Sequence, residues 1–300
     1  MNEVLWAFPK PDKIGVTMTA EISDAFRTRR EGVRFILQQV GPLFRQSDVS
    51  VFSSDGTFIS VSKAAKNPFL VASANWRSTG EVVSRFMGQC LLVDMGSTTT
   101  DIIPIKNGKV VSTGWNDRTR LISGELIYTG YLRTNVAHLV SKVPATKYRK
   151  KKKTEWISTS SEWFCCMGDV HLILRTIKSN RYTSPTPDGR PKTRPEALRR
   201  LARLICSDRE ELKENQLVQI AQYIYDVQKG QILRGMSQVR QSSRLNRSAP
   251  VVCLGHGRFT VLEICAKNGI PKKSFLSAKL PNRGRIDPSF SLAYLLGIPS

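Results

Sequence analysis

The chain has no Cys-x-x-Cys pair, only three histidines, and nowhere about 18 uncharged apolar residues in succession. The absent pairs argue against a zinc ribbon or a disulfide framework. Six cysteines, Cys90, Cys165, Cys166, Cys206, Cys253 and Cys265, sit mostly inside apolar segments and read as buried thiols. The missing apolar run argues against a membrane-spanning helix, and the first ten residues lack the basic-then-apolar order of a leader. The expected setting is cytoplasmic, with no membrane partner. Acidic residues are scarce: 24 Asp and Glu face 46 Lys and Arg, a formal net charge of +22. Such an excess attracts something anionic, a nucleic acid or a phosphorylated ligand. Lys147 and the run Arg149, Lys150, Lys151, Lys152 and Lys153 form one basic stretch, with only Tyr148 and Trp156 as aromatics beside it. That pattern suits a solvated loop, and noncatalytic nucleic-acid binding stays as an alternative.

What is there is a globular composition: 300 residues, 40% of them apolar, enough for one large domain or two medium ones. Residues 14–19 alternate like a strand, and Val33, Ile36, Leu37 and Val40 follow at helical spacing. Asp55-Gly56 between two β-prone runs predicts a hairpin. Ser78 and Glu81 have capping-box spacing before Val82, Val83, Phe86 and Met87, with Gly88 as the stop. Three short strands are expected at residues 90–94, 99–105 and 109–114, the last two joined by an Asn107-Gly108 turn. Beyond these, Trp163 to Ile177 recur at helical spacing, and Ser207 with Glu210 has the spacing to open a helix through Leu217 and Ile224. An apolar strand "VVCLGHG", a helix ending near Gly269, a strand around Phe275 and a helix from Asp287-Pro288 to Gly297 complete the chain.

The stretch "LLVDMGSTTTDIIPI" places an aspartate at a strand end, a glycine turn with hydroxyls, and a second aspartate on the returning strand. It resembles the phosphate loop of the acetate and sugar kinase, heat-shock protein and actin superfamily. Taken with "VTMTAEISDAFRTRREGVRFIL", "RLISGELIYTGYLRTNV", "GDVHLIL" and "TPDGRPKTR", the chain is similar to the hydantoinase/oxoprolinase-related proteins of tetrahydromethanopterin-linked C1 metabolism, in the branch that builds methanofuran. The resemblance implies an α/β, two-lobed ribonuclease-H-like (actin/sugar-kinase-like) fold with mixed sheets. Residues 1–89 then correspond to the first lobe and 90–300 to the second, with a helical insertion around 115–250. Members open with another Asp-Ile-Gly-Gly strand and turn that has no counterpart here, so the first lobe is expected to be N-terminally truncated. Exposed strand edges then favour a homo-oligomer.

The resemblance also implies a transferase that joins an aminomethylfuran-methyl diphosphate to the phenol oxygen of a glutamyl-tyramine-type acceptor, releasing diphosphate. An ATP-dependent kinase or hydantoinase-like activity is the enzymatic alternative. Departing diphosphate needs amides, cations or a metal, so Asp94, Gly96, Ser97, Thr98 and Thr99 are the expected diphosphate cradle, and Asp94 with Asp101 the expected Mg2+ ligands. Asp101 equally suits the orienting of its own turn. Arg120 and Arg133 are expected to contact diphosphate or the acceptor's carboxylate, and Gly255 and Gly257 to offer amides at a helix start. The phenol must lose a proton, for which Glu125, with Asp117 behind it, is the candidate base. Both also suit capping. The three histidines, His138, His171 and His256, stand singly on apolar stretches and read as packed.

Overall fold

The computed structural model describes residues 11–44, 48–145, 155–273 and 286–297. Its first unit comprises β1 (Lys13–Val16), α1 (Arg29–Leu43), β2 (Asp48–Phe52), β3 (Phe58–Ser60) and α2 (Val61–Lys66). β1 pairs with β2 in parallel, and β2 with β3 in antiparallel around the expected turn, where Gly56 takes a φ of +89°. Val33, Leu37, Val51, Ile59 and Val71 close its small core.

Next come α3 (Asn75–Ser84), β4 (Gln89–Met95), β5 (Thr100–Lys106), β6 (Lys109–Val110), α4 (Asp117–Ser123) and β7 (Leu126–Ile127). A ribbon of β8 (Lys142–Pro144) and β9 (Trp156–Ser158) precedes α5 (Met167–Ile173), α6 (Arg194–Arg203) and the 29-residue α7 (Glu214–Ser242). The described chain ends with β10 (Val251–Leu254), α8 (Arg258–Lys267), β11 (Lys272–Lys273) and α9 (Pro288–Leu295). Six strands form one mixed sheet in the order β11-β10-β4-β5-β6, with β7 also on β5. The expected mixed α/β class is thus present. Asn107 and Gly108 take φ values of +53° and +67°, the left-handed pair that the β5–β6 turn requires.

The sheet is covered on both faces, which is why β4 reads as a continuous apolar run. Leu91, Val93, Met95 and Ile102 point to one core, shared with α7 and α8, and Cys90, Leu92, Ile103 and Ile105 to the other. Trp76, Val82 and Val83 of α3 belong to that second core together with Phe290 and Tyr294 of α9. The expected seam at residue 89 therefore runs through one continuous apolar cluster.

Helix starts differ most from expectation. Ser78 lies inside α3, its hydroxyl donating to Asn75 O, and Glu81 pairs with Arg77. α7 begins after Lys213, whose amide donates to Gln216 Oε1, so Ser207 and Glu210 do not cap it. The helix anticipated from Trp163 is only Met167–Ile173, and Trp163 is exposed. α3 starts after Ala74 with no side-chain cap, and α5 and α7 are capped at Cys166 and Lys213. The Phe275 strand and the basic stretch Lys147 to Lys153 lie outside the described residues.

The motifs "GDVHLIL" and "TPDGRPKTR" meet in a buried ion network. The Arg200 guanidinium, fully enclosed, donates from Nε to Asp169 Oδ1 at 2.8 Å and from Nη1 to Asp188 Oδ1 at 3.1 Å. Asp169 also accepts the Cys166 amide at 3.1 Å, capping α5. Removing one partner strands a buried charge. Arg200→Met is expected to cost about 3–5 kcal/mol in urea unfolding, with part of the loss recovered in the Arg200→Met, Asp169→Asn double variant.

Candidate active site

The residues that end β4 and begin β5 build the floor of a cavity of about 540 Å³. Along these strands the cross-strand pairs Cys90–Ile105 and Leu92–Ile103 are apolar; the next pair in the same register is Asp94–Asp101. Two carboxylates directly opposite each other on one face repel. Among the described residues, only Asp101 of the two has a cation partner: Arg120 Nη1 donates to its Oδ1 at 2.8 Å. Arg120 is itself fixed, 1% exposed, stacked 3.9 Å over the Trp76 ring and donating from Nη2 to Glu125 O at 2.9 Å. Burial, together with the negative charges of Asp101 and Asp287, raises the Asp94 carboxyl to about 7. Burial also raises that of Asp101, against the pull of Arg120.

Between the strands, Gly96, Ser97, Thr98 and Thr99 line the cavity. The turn is closed by Gly96 N donating to Thr99 O at 2.9 Å. Among the described residues, the amides of Ser97, Thr98 and Thr99 donate to no protein acceptor, as suits a loop that receives an anion. From behind, Tyr131 N donates to Gly96 O at 3.1 Å, and Leu132 N and Arg133 N to Ser97 O at 3.2 and 2.8 Å. Gly130 makes this approach possible: a Cβ there would lie 2.5 Å from Thr98 N and 2.6 Å from Gly96 O. Gly96 itself carries no such demand, since its Cβ would meet only Thr99 O at 3.5 Å. A polar shelf completes the support, with Thr100 Oγ1 donating to Thr129 O at 2.7 Å and the buried Gln228 amide donating to Thr129 Oγ1 and Gly130 O at 2.9 Å.

The cavity gathers most of the residues expected from sequence: Asp94, Gly96, Ser97, Thr98, Thr99, Asp101, Asp117, Arg120 and Arg133 all line it. Glu125 does not. Its carboxylate is occupied by Thr113 N at 2.7 Å, Thr113 Oγ1 at 3.1 Å and Gly114 N at 2.9 Å, so it fastens the strand leaving β6. Gly255 and Gly257 are not lining residues either. They are spacers that let α8 start against the end of β4: a Cβ on Gly255 would lie 2.4 Å from Asp94 Oδ1, and one on Gly257 2.6 Å from Met95 Cγ. Gly257 N donates to Met95 O at 2.9 Å. His171 is packed as expected, between Tyr225 and Phe259, and burial lowers it to about 3. His138 and His256 are exposed, His256 stacked on Tyr131. Sequence reading missed Gly130, Gln228 and a further set of lining residues, Thr19, Glu21, Ser73, Asn75 and Trp76, brought in from the first 76 residues.

Two outcomes are expected. Gly130→Ala, whose methyl meets rigid backbone rather than a side-chain end, weakens pyrophosphate binding by roughly tenfold or more in calorimetry, the loss of one to two hydrogen bonds to an anion. Asp94→Asn melts higher than the parent at about pH 8 with chelator present, an advantage that fades toward about pH 4. A carboxyl raised to about 7 in the folded chain holds its proton more tightly there than when unfolded, so its ionisation removes stability as pH rises through 7.

The hydantoinase/oxoprolinase family model matches residues 12–278. The chain is 36% identical over 289 residues to the (4-{4-[2-(gamma-L-glutamylamino)ethyl]phenoxymethyl}furan-2-yl)methanamine synthase of Methanocaldococcus jannaschii, covering 95% of this chain and 82% of that one. It is 34% identical over 212 residues to the synthase of the same name from Methanococcus vannielii, covering 69% of this chain and 90% of that one. Among solved structures, nucleotide-free acetone carboxylase superposes with a TM-score of 0.52 at 11% identity, over 87% of this chain and 37% of that chain, a likeness of fold. The chain belongs to the hydantoinase/oxoprolinase family.

Proposed function

We propose that this chain is a transferase of methanofuran-type cofactor assembly, condensing an aminomethylfuran-methyl diphosphate with the phenol oxygen of a glutamyl-tyramine-type acceptor. The observation that carries the reading is the joining, in one cavity, of unpartnered loop amides with the Asp94–Asp101 pair. The names of the two synthases supply the substrate classes, since both describe a phenoxymethyl ether on a furan bearing a methanamine. The two-lobed ribonuclease-H-like frame belongs to the same proposal.

In the reaction the phenol oxygen bonds to the furan-methyl carbon as the bond from that carbon to diphosphate breaks, the electron pair leaving with diphosphate. Charge building on the departing oxygens is met by the amides of Ser97, Thr98 and Thr99, aimed before the reaction begins and held by Gly130 and the Thr129–Gln228 shelf. Arg133, exposed at the cavity rim, adds a cation. Of the two carboxylates expected to take the phenol proton, only Asp117 faces the cavity, and that role falls to it; Ser73 Oγ donates to its Oδ2 at 2.8 Å and Arg29 lies 3.6 Å away.

Mg2+ fits the residues present. Two facing carboxylates, one without a cation partner among the described residues, match an ion that takes one or two carboxylates and completes its shell from phosphate and water. Among the described residues no group of three or more His, Cys, Asp or Glu side chains forms a metal site, so diphosphate and water would supply the other ligands. Held by Asp94 and Asp101, the ion would neutralise diphosphate charge.

The test is condensation without nucleotide: furan-methyl diphosphate, phenolic acceptor and Mg2+ are expected to give the aryl ether by mass spectrometry, with one diphosphate per ether. Asp101→Asn is expected to lower turnover by roughly a hundredfold or more. Turnover that appears only with ATP overturns the reading in favour of nucleotide chemistry.

A further inference from the structure

The cavity carries one carboxylate to which the sequence reading gave no role, although it lies within the stretch "VTMTAEISDAFRTRREGVRFIL". Glu21, in the irregular segment between β1 and α1, is 1% exposed and lines the cavity. Its Oε1 accepts the Ser73 amide at 2.7 Å. Its Oε2 is buried and has no hydrogen-bond partner among the described residues. The placement is built rather than incidental. Gly32 of α1 clears room for it, since a Cβ there would come within 2.4 Å of Glu21 O. Ser73 takes a left-handed φ of +54°, unusual for a residue with a side chain, and from there addresses Glu21 with its amide and Asp117 with its hydroxyl.

Among the described residues no guanidinium pairs with Glu21; Arg29 pairs with Asp117, and Arg120 with Asp101. Across the whole lining, four carboxylates (Glu21, Asp94, Asp101, Asp117) stand against two guanidinium groups (Arg120, Arg133), in a chain whose net charge is +22. Such a carboxylate excess favours a cationic group on one part of the occupant, apart from the anionic end that the loop amides receive. A divalent ion at Asp94 and Asp101 leaves Glu21 still facing the cavity with one oxygen unfilled, and a buried acceptor in that state is costly until a ligand donates to it.

We propose that Glu21 binds the protonated primary amine of the substrate. This rests on the condensation reading, in which the furan carries a methanamine group, cationic at neutral pH, on a ring carbon different from the one whose methyl substituent reacts. Glu21 then fixes which end of the furan enters beside the loop, because the ammonium pairs with the carboxylate while the diphosphate meets the Ser97–Thr99 amides. The same pair rejects a furan whose amine is replaced by a hydroxyl.

Titration of the parent and of Glu21→Gln with furan-2-ylmethanamine and furan-2-ylmethanol, followed by NMR, tests this. The parent is expected to prefer the amine, and Glu21→Gln to lose that preference by roughly tenfold or more while its affinity for the alcohol and for pyrophosphate is unchanged. A merely structural Glu21 would lower the melting temperature without moving the amine-to-alcohol ratio. No preference for the amine in the parent overturns the proposal, even if Glu21→Gln does not fold. So does a Glu21→Gln protein that keeps the preference. Condensation assays separate the two readings: turnover with an unchanged KM for the furan substrate in Glu21→Gln sinks the Glu21 assignment alone. An amine preference in a parent that never condenses the two substrates sinks the transferase and leaves an amine site.

Discussion

Two carboxylates end the central strand pair where its apolar ladder would otherwise continue, and the surrounding architecture answers that repulsion. Asp101 is neutralised by an arginine buried between an indole and a main-chain carbonyl, while Asp94 has no cation partner among the described residues. The asymmetry gives neighbouring, chemically identical groups different properties. One is paired with a guanidinium; the other has its carboxyl raised to about 7 by burial and neighbouring negative charge.

The loop between them is rigid for reasons that lie behind it. Three amides of the segment 131–133 grip its carbonyls, the amides of Ser97, Thr98 and Thr99 have no acceptor among the described residues, and a buried glutamine from the long α7 holds Thr129 and Gly130 just before the gripping segment. Electrostatic stabilisation without reorganisation requires such backing, because donors that must first be oriented contribute less. The helical part of the chain backs the site through Gln228, and the Asp169–Arg200–Asp188 network ties its helices together.

Sequence made the floor of the site legible because strand, glycine turn, hydroxyls and returning aspartate are contiguous, and their spacing fixes their geometry. Asn107-Gly108 and Asp55-Gly56 were legible for the same reason. Glu125 misled: a carboxylate beside a family motif looks chemical until the amides of Thr113 and Gly114 are seen to occupy it. Gly255 and Gly257 misled in a similar way, since glycine serves close backbone approach to a strand as readily as approach to an anion. Glu21 and Ser73 could not be found by spacing at all, because what joins them is tertiary. The false capping boxes at Ser78 and Ser207 show the limit of four-residue patterns: the first falls inside α3 and the second ahead of α7.

Ser73 reaches Glu21 across 52 residues of chain and Asp117 across 44, whereas the loop and its two aspartates form within a single hairpin. Contacts so different in loop-closure entropy form at different stages of folding. The hairpin half of the pocket can therefore assemble early and locally, and the half built from Glu21, Ser73 and Asp117 arises last, as the chain's distant segments dock.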